Sequence, residues 1–250
     1  MMTSVDINCD IGEGCGSDAE LMGFISSANI ACGFHAGGEA TMRQTVESAL
    51  ENGVAIGAHP GYRDAANFGR TEMNLSRDEV RRLVLDQLEA LKAVCDQKGA
   101  KIRHVKPHGA LYNQAAKDRD LASAIAEAVS DFDDSLILYG LSGSLMIDEA
   151  KRVGLNSASE VFADRTYTSD GALTPRSQPN ALIFETETSL GQVLDMVKYG
   201  RVRSTNAVMV PIKAETICIH GDGPNAVSFA RLIRERLTSE GVQISPPGNF

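Results

Sequence analysis

Six short segments of this 250-residue chain crowd titratable side chains among glycines. They are Asp6-Ile-Asn-Cys-Asp-Ile-Gly-Glu-Gly14, Asn29-Ile-Ala-Cys-Gly-Phe-His-Ala-Gly37, Gly57-Ala-His-Pro-Gly-Tyr62, Lys106-Pro-His-Gly-Ala-Leu-Tyr-Asn113, Glu160-Val-Phe-Ala-Asp-Arg165 and His220-Gly-Asp222. Carboxylates and imidazoles move protons near neutral pH, and a lysine stabilises developing negative charge. Glycines beside such groups let the backbone approach a ligand, although each also fits a tight turn. Asp10, His59 and His108 offer ligands suited to Zn or a similar divalent ion. Their wide separation in sequence neither supports nor opposes a metal, so that reading stays open. A single histidine at a strand end is often only a satisfied structural group. Four of the chain's five histidines lie in these segments, and that coincidence points to a site.

Those residues have to be positioned by regular elements. Strand-like runs fall near 5–10, 28–34, 54–58, 102–107, 135–140, 157–163 and 215–220, with a weaker one at 181–185. Helical 3.6-residue spacing marks 39–52, 76–98, 118–130, 143–153, 189–199 and 223–240. Ser76 with Glu79 predicts a capping box, and Asp222-Gly-Pro224 a second helix start. Strand–helix alternation predicts α/β architecture. An eight-stranded α/β barrel takes about 250 residues, so one seven-stranded parallel (β/α) barrel domain fits the length. Nothing along the chain reads as a linker.

Strand residues point alternately to opposite faces. In the first run Val5, Ile7, Cys9 and Ile11 share a face, and Asp6, Asn8 and Asp10 share the other. Helices cover the outside of such a barrel, so the polar set must point inward. The same test sends His35, His59, His104, Lys106, His108, Glu160, Asp164, His220 and Asp222 inward. Sites in these barrels sit at the C-terminal mouth of the strands. Buried polar groups in that number need hydrogen bonds or a use.

A formal net charge of -9 with no basic stripe argues against nucleic acid and anionic membranes as partners. No apolar run approaches the ~20 residues that span a bilayer. The N-terminus lacks a signal-peptide pattern, and the five cysteines form no CxxC pair, so a cytoplasmic protein with reduced thiols is expected. There is no P-loop, no G-x-G-x-x-G after a strand and no G-x-S-x-G elbow.

Taken in order, the six segments resemble the LamB/YcsF family of 5-oxoprolinase A subunits. Phe68-Gly-Arg70 and Pro175-Arg-Ser-Gln-Pro179 belong to the same pattern, which runs from Val5 to about Val227. Departures fall at Cys15, where an aromatic is common, at Gly38-Glu39 in place of Asp-Pro, at Thr71 in place of Arg, and at Gly223 in place of Thr. The resemblance implies a seven-stranded barrel similar to the glycoside hydrolase/deacetylase barrels. It implies ATP-dependent opening of 5-oxoproline to L-glutamate, in a complex with partner subunits B and C. The missing P-loop agrees with partners supplying part of the ATP chemistry, and which subunit binds ATP is not encoded. On that basis Asp10 and His59 are expected to activate water, Lys106 to stabilise negative charge, and His108 or His220 to serve as the acid. The expected substrate contacts are Asn8, His35, Asp164 and Asp222, with Arg70, Arg165 or Arg176 clamping the carboxylate. Two other functions fit the same cluster: a metal-dependent deacetylase or amidohydrolase, and a non-catalytic ligand-binding subunit. Homo-oligomeric state is not encoded in any motif.

Overall fold

Alternation in the first strand sets the architecture. In β1 (Ser4–Ile11) the side chains of Val5, Ile7, Cys9 and Ile11 are buried on one face, and Asp6, Asn8 and Asp10 on the other. The structure, a computed structural model, describes residues 4–220 and 226–248. After β1 come β2 (Ser27–Ala31), β3 (Ala55–His59), β4 (Ile102–Val105), β5 (Ile137–Leu141) and β6 (Asn156–Phe162). A short hairpin, β7 (Arg201–Arg203) with β8 (Met209–Pro211), precedes β9 (Thr216–Ile219) and β10 (Gln243–Ile244).

β1 to β6 pair in sequence order, all parallel, and β9 closes the sheet between β6 and β1. The expected seven-stranded barrel is what the strands form. β1 carries a third neighbour at its start, where Ser4 and Val5 pair with Gln243 and Ile244 of β10.

Helices α1 (Asp18–Leu21), α2 (Glu39–Asn52), α3 (Arg77–Lys98), α4 (Gly109–Ala115), α5 (Arg119–Phe132), α6 (Leu145–Arg152), α7 (Thr186–Tyr199) and α8 (Ala226–Ser239) fill the connections. α3 shows how sequence fixes one of them. Ser76 and Glu79 form the reciprocal capping box, and Val80, Val84, Leu88, Leu91 and Val94 turn one buried stripe toward the sheet. The helix start expected at Asp222-Gly-Pro224 lies outside the described residues. The strand expected at 181–185 does not form. Leu182 makes only an isolated bridge with Arg165, because the segment lies over the loop after β6.

The barrel interior is filled by polar side chains. At its base the buried Asp6 carboxylate accepts hydrogen bonds from Ser26 (2.6 Å), Ser27 (2.8 Å), Thr216 (2.6 Å) and Tyr139 (3.1 Å). Each bond to a charged group contributes about 1.5–3 kcal/mol. Four of them offset part of the cost of burying a carboxylate, and burial still holds the Asp6 pKa above its usual value. Above lies a second layer, where Asn29 donates to Asn8 (2.7 Å) and Asn8 donates to Glu160 (3.0 Å) and Thr216 (2.6 Å). His104 Nε2 donates to Asn29 Oδ1 at 2.8 Å while its ring stacks on Tyr139. Gly57 makes room for this histidine: a Cβ there would lie 2.0 Å from His104 Nε2.

Candidate active site

The third layer is the mouth. Asp10 ends the polar face of β1, and Glu13 follows in the glycine-flanked turn. His59 ends β3, Lys106 and His108 follow β4, Phe162 ends β6, and His220 follows β9. They border a cavity of about 230 Å³, whose rim carries Arg70, Arg165 and Arg176.

Lys106 is the hub. Its ammonium lies 2.9 Å from Asp10 Oδ1, 2.9 Å from Glu160 Oε1, 3.2 Å from Asn8 Oδ1 and 3.0 Å from Cys218 Sγ. An ammonium has three donors, and four acceptors already surround it. Burial opposes its charge, but Asp10, Cys218 and Glu160 more than reverse that and hold its pKa well above the usual lysine range. Burial likewise opposes Asp10 ionisation, and His59 and Lys106 override it, keeping the carboxyl well below its usual range. Asp10 is therefore an anion locked in place by a lysine from another strand.

The other side of the mouth is a histidine cluster. His59 Nδ1 donates to the Lys106 carbonyl at 2.6 Å, and its Nε2 lies 3.4 Å from Asp10 Oδ2. His108 Nε2 donates to the Phe68 carbonyl at 2.8 Å. His35 stacks on His108 with ring centroids 3.7 Å apart. Glu13 Oε1 reaches His35 Nε2 at 3.1 Å and His108 Nδ1 at 3.2 Å. Burial raises the Glu13 pKa, but those two contacts bring it down to about 2. Burial pushes His35 down to about 4 and also lowers His108. The Phe68-Gly-Arg70 turn clamps this cluster from outside. Gly69 has φ +63°, and a Cβ there would lie 2.8 Å from His35 Cβ and 2.9 Å from His108 Cδ2.

Across the cavity His220 Nδ1 donates to Asp164, 2.7 Å from Oδ2. Burial opposes Asp164 ionisation, and the His220 charge and hydrogen bond reverse it. The pair fixes His220 with Nδ1 protonated, so Nε2 is the atom that exchanges a proton. Arg165 is buried and gives two of its donors to the Thr174 and Ala181 carbonyls. Burial, with Arg176 nearby, lowers its pKa to about 10. Arg176 is exposed on the rim.

The expected residues thus divide. Asp10, His59, Lys106, His108, His220, Arg70, Arg165 and Arg176 border the cavity. Asn8 lies below it in the second layer, and His35 lies behind Glu13 and His108, so both support the wall rather than line it. Asp164 reaches the site through His220. Asp222 lies outside the described residues. Grouping by potential metal ligands also differs from the expected Asp10, His59 and His108. Among the described residues the donor atoms of Glu13, His35, His59 and His108 converge, and Asp10 groups with Cys218 and His220. Sequence reasoning gives no role to Glu13, Glu160 or Cys218. Glu13 sits in a turn, where no periodicity assigns a direction. Glu160 and Cys218 carry the inward alternation of β6 and β9, which is the signal that finds them.

The closed parallel barrel is a fold shared with carbohydrate esterase and deacetylase structures. The chain superposes on the Streptomyces lividans family 4 carbohydrate esterase, solved in complex with acetate, with TM-score 0.54 at 12% identity, covering 97% of this chain and 91% of that one. The catalytic domain of the Eubacterium rectale peptidoglycan N-acetylglucosamine deacetylase gives TM-score 0.55 at 11% identity, covering 100% and 90%. These likenesses establish the fold alone. The chain itself belongs to the LamB/YcsF family, whose sequence profile matches residues 5–250. It is similar to the lactam utilization protein of Thermus thermophilus, at 43% identity and TM-score 0.90, covering 97% of this chain and 99% of that one. No helix among the described residues is long and apolar enough to cross a membrane.

Proposed function

We propose that this chain is the A subunit of an ATP-dependent 5-oxoprolinase, opening the lactam ring of 5-oxo-L-proline to L-glutamate. The observation that carries it is the placing of an ionised Asp10 and a tautomer-fixed His220 on the same small cavity under an arginine rim. The likeness to a lactam utilization protein supports the lactam as the bond attacked.

Lactam hydrolysis needs a water aimed at the carbonyl carbon and a proton for the ring nitrogen. Asp10 borders the cavity as an anion, orients the water and takes the proton that the water loses. His220, held through Nδ1 by Asp164, delivers a proton from Nε2 to the leaving nitrogen. Arg176 binds the substrate carboxylate at the rim. Lys106 takes a different part from the expected one. Its donors already face Asp10, Glu160, Asn8 and Cys218, so it sets the position and charge of Asp10 instead of contacting the lactam oxygen.

An unactivated five-membered lactam is a stable amide; ATP would activate it by phosphorylating the lactam oxygen with release of ADP. One water would add and the ring C–N bond break, and a second water would hydrolyse the resulting acyl phosphate to the carboxylate and inorganic phosphate. The sequence carries no P-loop, which supports delivery of that activation by partner subunits B and C. All five cysteines are free, which supports a cytoplasmic setting. The test is glutamate release from 5-oxoproline and ATP by the partner subunits with and without this chain. Release should require the chain; release by the partners alone would end the catalytic reading.

A further inference from the structure

The histidine cluster poses a question of proton arithmetic. A backbone carbonyl only accepts hydrogen bonds, so the nitrogen facing it must carry the hydrogen. The Lys106 carbonyl therefore fixes the proton of His59 on Nδ1, and the Phe68 carbonyl fixes that of His108 on Nε2. The remaining nitrogens, His59 Nε2 and His108 Nδ1, both present lone pairs. They face one another at 2.9 Å. Glu13 Oε1 adds a third lone pair, 3.2 Å from His108 Nδ1 and 3.7 Å from His59 Nε2. With both rings neutral, three electron-pair donors meet with no hydrogen among them, and at such distances they repel unless a proton or a metal ion sits between.

We propose that this cation is a divalent first-row transition ion of the Zn class, held by His59 Nε2, His108 Nδ1 and Glu13 Oε1. The two nitrogens lie 2.9 Å apart, and the carboxylate oxygen lies 3.2 Å from His108 Nδ1 and 3.7 Å from His59 Nε2. Tetrahedral ligands with bonds of ~2.0–2.1 Å sit about 3.3 Å apart, close to the separations found here. Two imidazoles and one carboxylate are a donor set for borderline ions and not for Mg or Ca. Both imidazoles already have the outer hydrogen bond to a carbonyl that orients a metal-bound histidine. His35 stacks on His108 with the ring planes 5° from parallel, so it does not aim at the same ion and instead holds Glu13 from behind, with Nε2 3.1 Å from Oε1. The neighbouring group of Asp10, Cys218 and His220 does not compete, because the Lys106 ammonium already sits 2.9 Å from Asp10 and 3.0 Å from Cys218.

The site deepens the proposed lactam-opening cavity, on which Glu13, His59 and His108 border, and any catalytic use of the ion rests on that reading. Binding can be read separately, on the chain alone, without partners, ATP or lactam. Chelator-treated protein is titrated with Co²⁺, following its visible absorption, and then with Zn²⁺ as competitor. We expect one equivalent of Co²⁺ with intense tetrahedral-type bands, displaced by Zn²⁺. His108→Asn and Glu13→Gln should each weaken binding at least about tenfold, and His220→Asn should leave it unchanged. Circular dichroism checks that each variant is folded, and either of the first two suffices if the other is not. No stoichiometric binding by folded wild-type protein would overturn the proposal and leave a shared proton between His59 and His108. Binding indifferent to both ligand substitutions would overturn the assignment as well.

Discussion

Lys106 and Asp10 come from opposite parts of the barrel wall, yet the ammonium and carboxylate meet at 2.9 Å with both side chains almost fully buried. Glu160 makes a second contact with Lys106 at 2.9 Å. Removing the cation strands two buried carboxylates without their partner. Lys106→Met should therefore cost about 3–5 kcal/mol, the range for breaking a buried pair by deleting one partner. Urea denaturation measures it, and a midpoint equal to the wild type's would refute the hub role.

Asp10→Asn keeps the shape and removes the charge. With partner subunits and ATP, glutamate release should fall about 10²–10⁴-fold, the usual worth of a proton-transfer group. Far-UV circular dichroism should be unchanged. A loss under about tenfold would take Asp10 out of the chemistry.

Gly57 and His104 test the packing of the second layer. A methyl at Gly57 would intrude on the His104 ring, so Gly57→Ala should destabilise by roughly 1–3 kcal/mol or more. Truncating His104 to Ala in the same chain removes the clash. The double variant should then cost less than the sum of the two single changes, with a coupling of about 0.5–3 kcal/mol. Additive costs would show that the ring is not what forbids a side chain at Gly57.

The acid side of the stability curve has a surface contribution. Glu127 on α5 meets Arg77 of α3 and Arg152 of α6, and the hydrogen bond from Arg77, foremost, brings its pKa from 4.5 down to about 2. A carboxyl with a depressed folded-state pKa stabilises above its unfolded value and loses that contribution as pH falls. Glu127→Gln should lower the melting temperature at pH 7 and flatten its decline between pH 4.5 and about pH 2. Parallel wild-type and variant curves across that window would rule the network out as a source of acid sensitivity.

The mouth of the barrel is readable in the sequence because period-2 alternation is rigid: once Val5, Ile7 and Cys9 face the helices, Asp6, Asn8 and Asp10 must face inward. The same logic places His59, Lys106 and His220. It fails where backbone direction is set by turns. Glu13 swings inward between Gly12 and Gly14, both at positive φ, and no pattern in the sequence encodes that direction. Alternation carried past the real end of β2 at Ala31 puts His35 on the cavity, while the loop takes it behind His108. The β7–β8 hairpin escapes notice because each three-residue strand buries only one side chain, Val202 or Val210. The stretch 181–185 has the apolar residues of a strand and no ladder to join.

The pairing of β10 with the first residues of β1 has a practical reach. Ser4 and Ser245 touch through their hydroxyls at 2.7 Å, on the end of the barrel away from the cavity. Seven rises of ~3.3 Å separate that edge from Ile11, so an anchor attached beside Ser245 stands about 20 Å from the chemistry. The protein can therefore be immobilised by that end with its mouth facing solution.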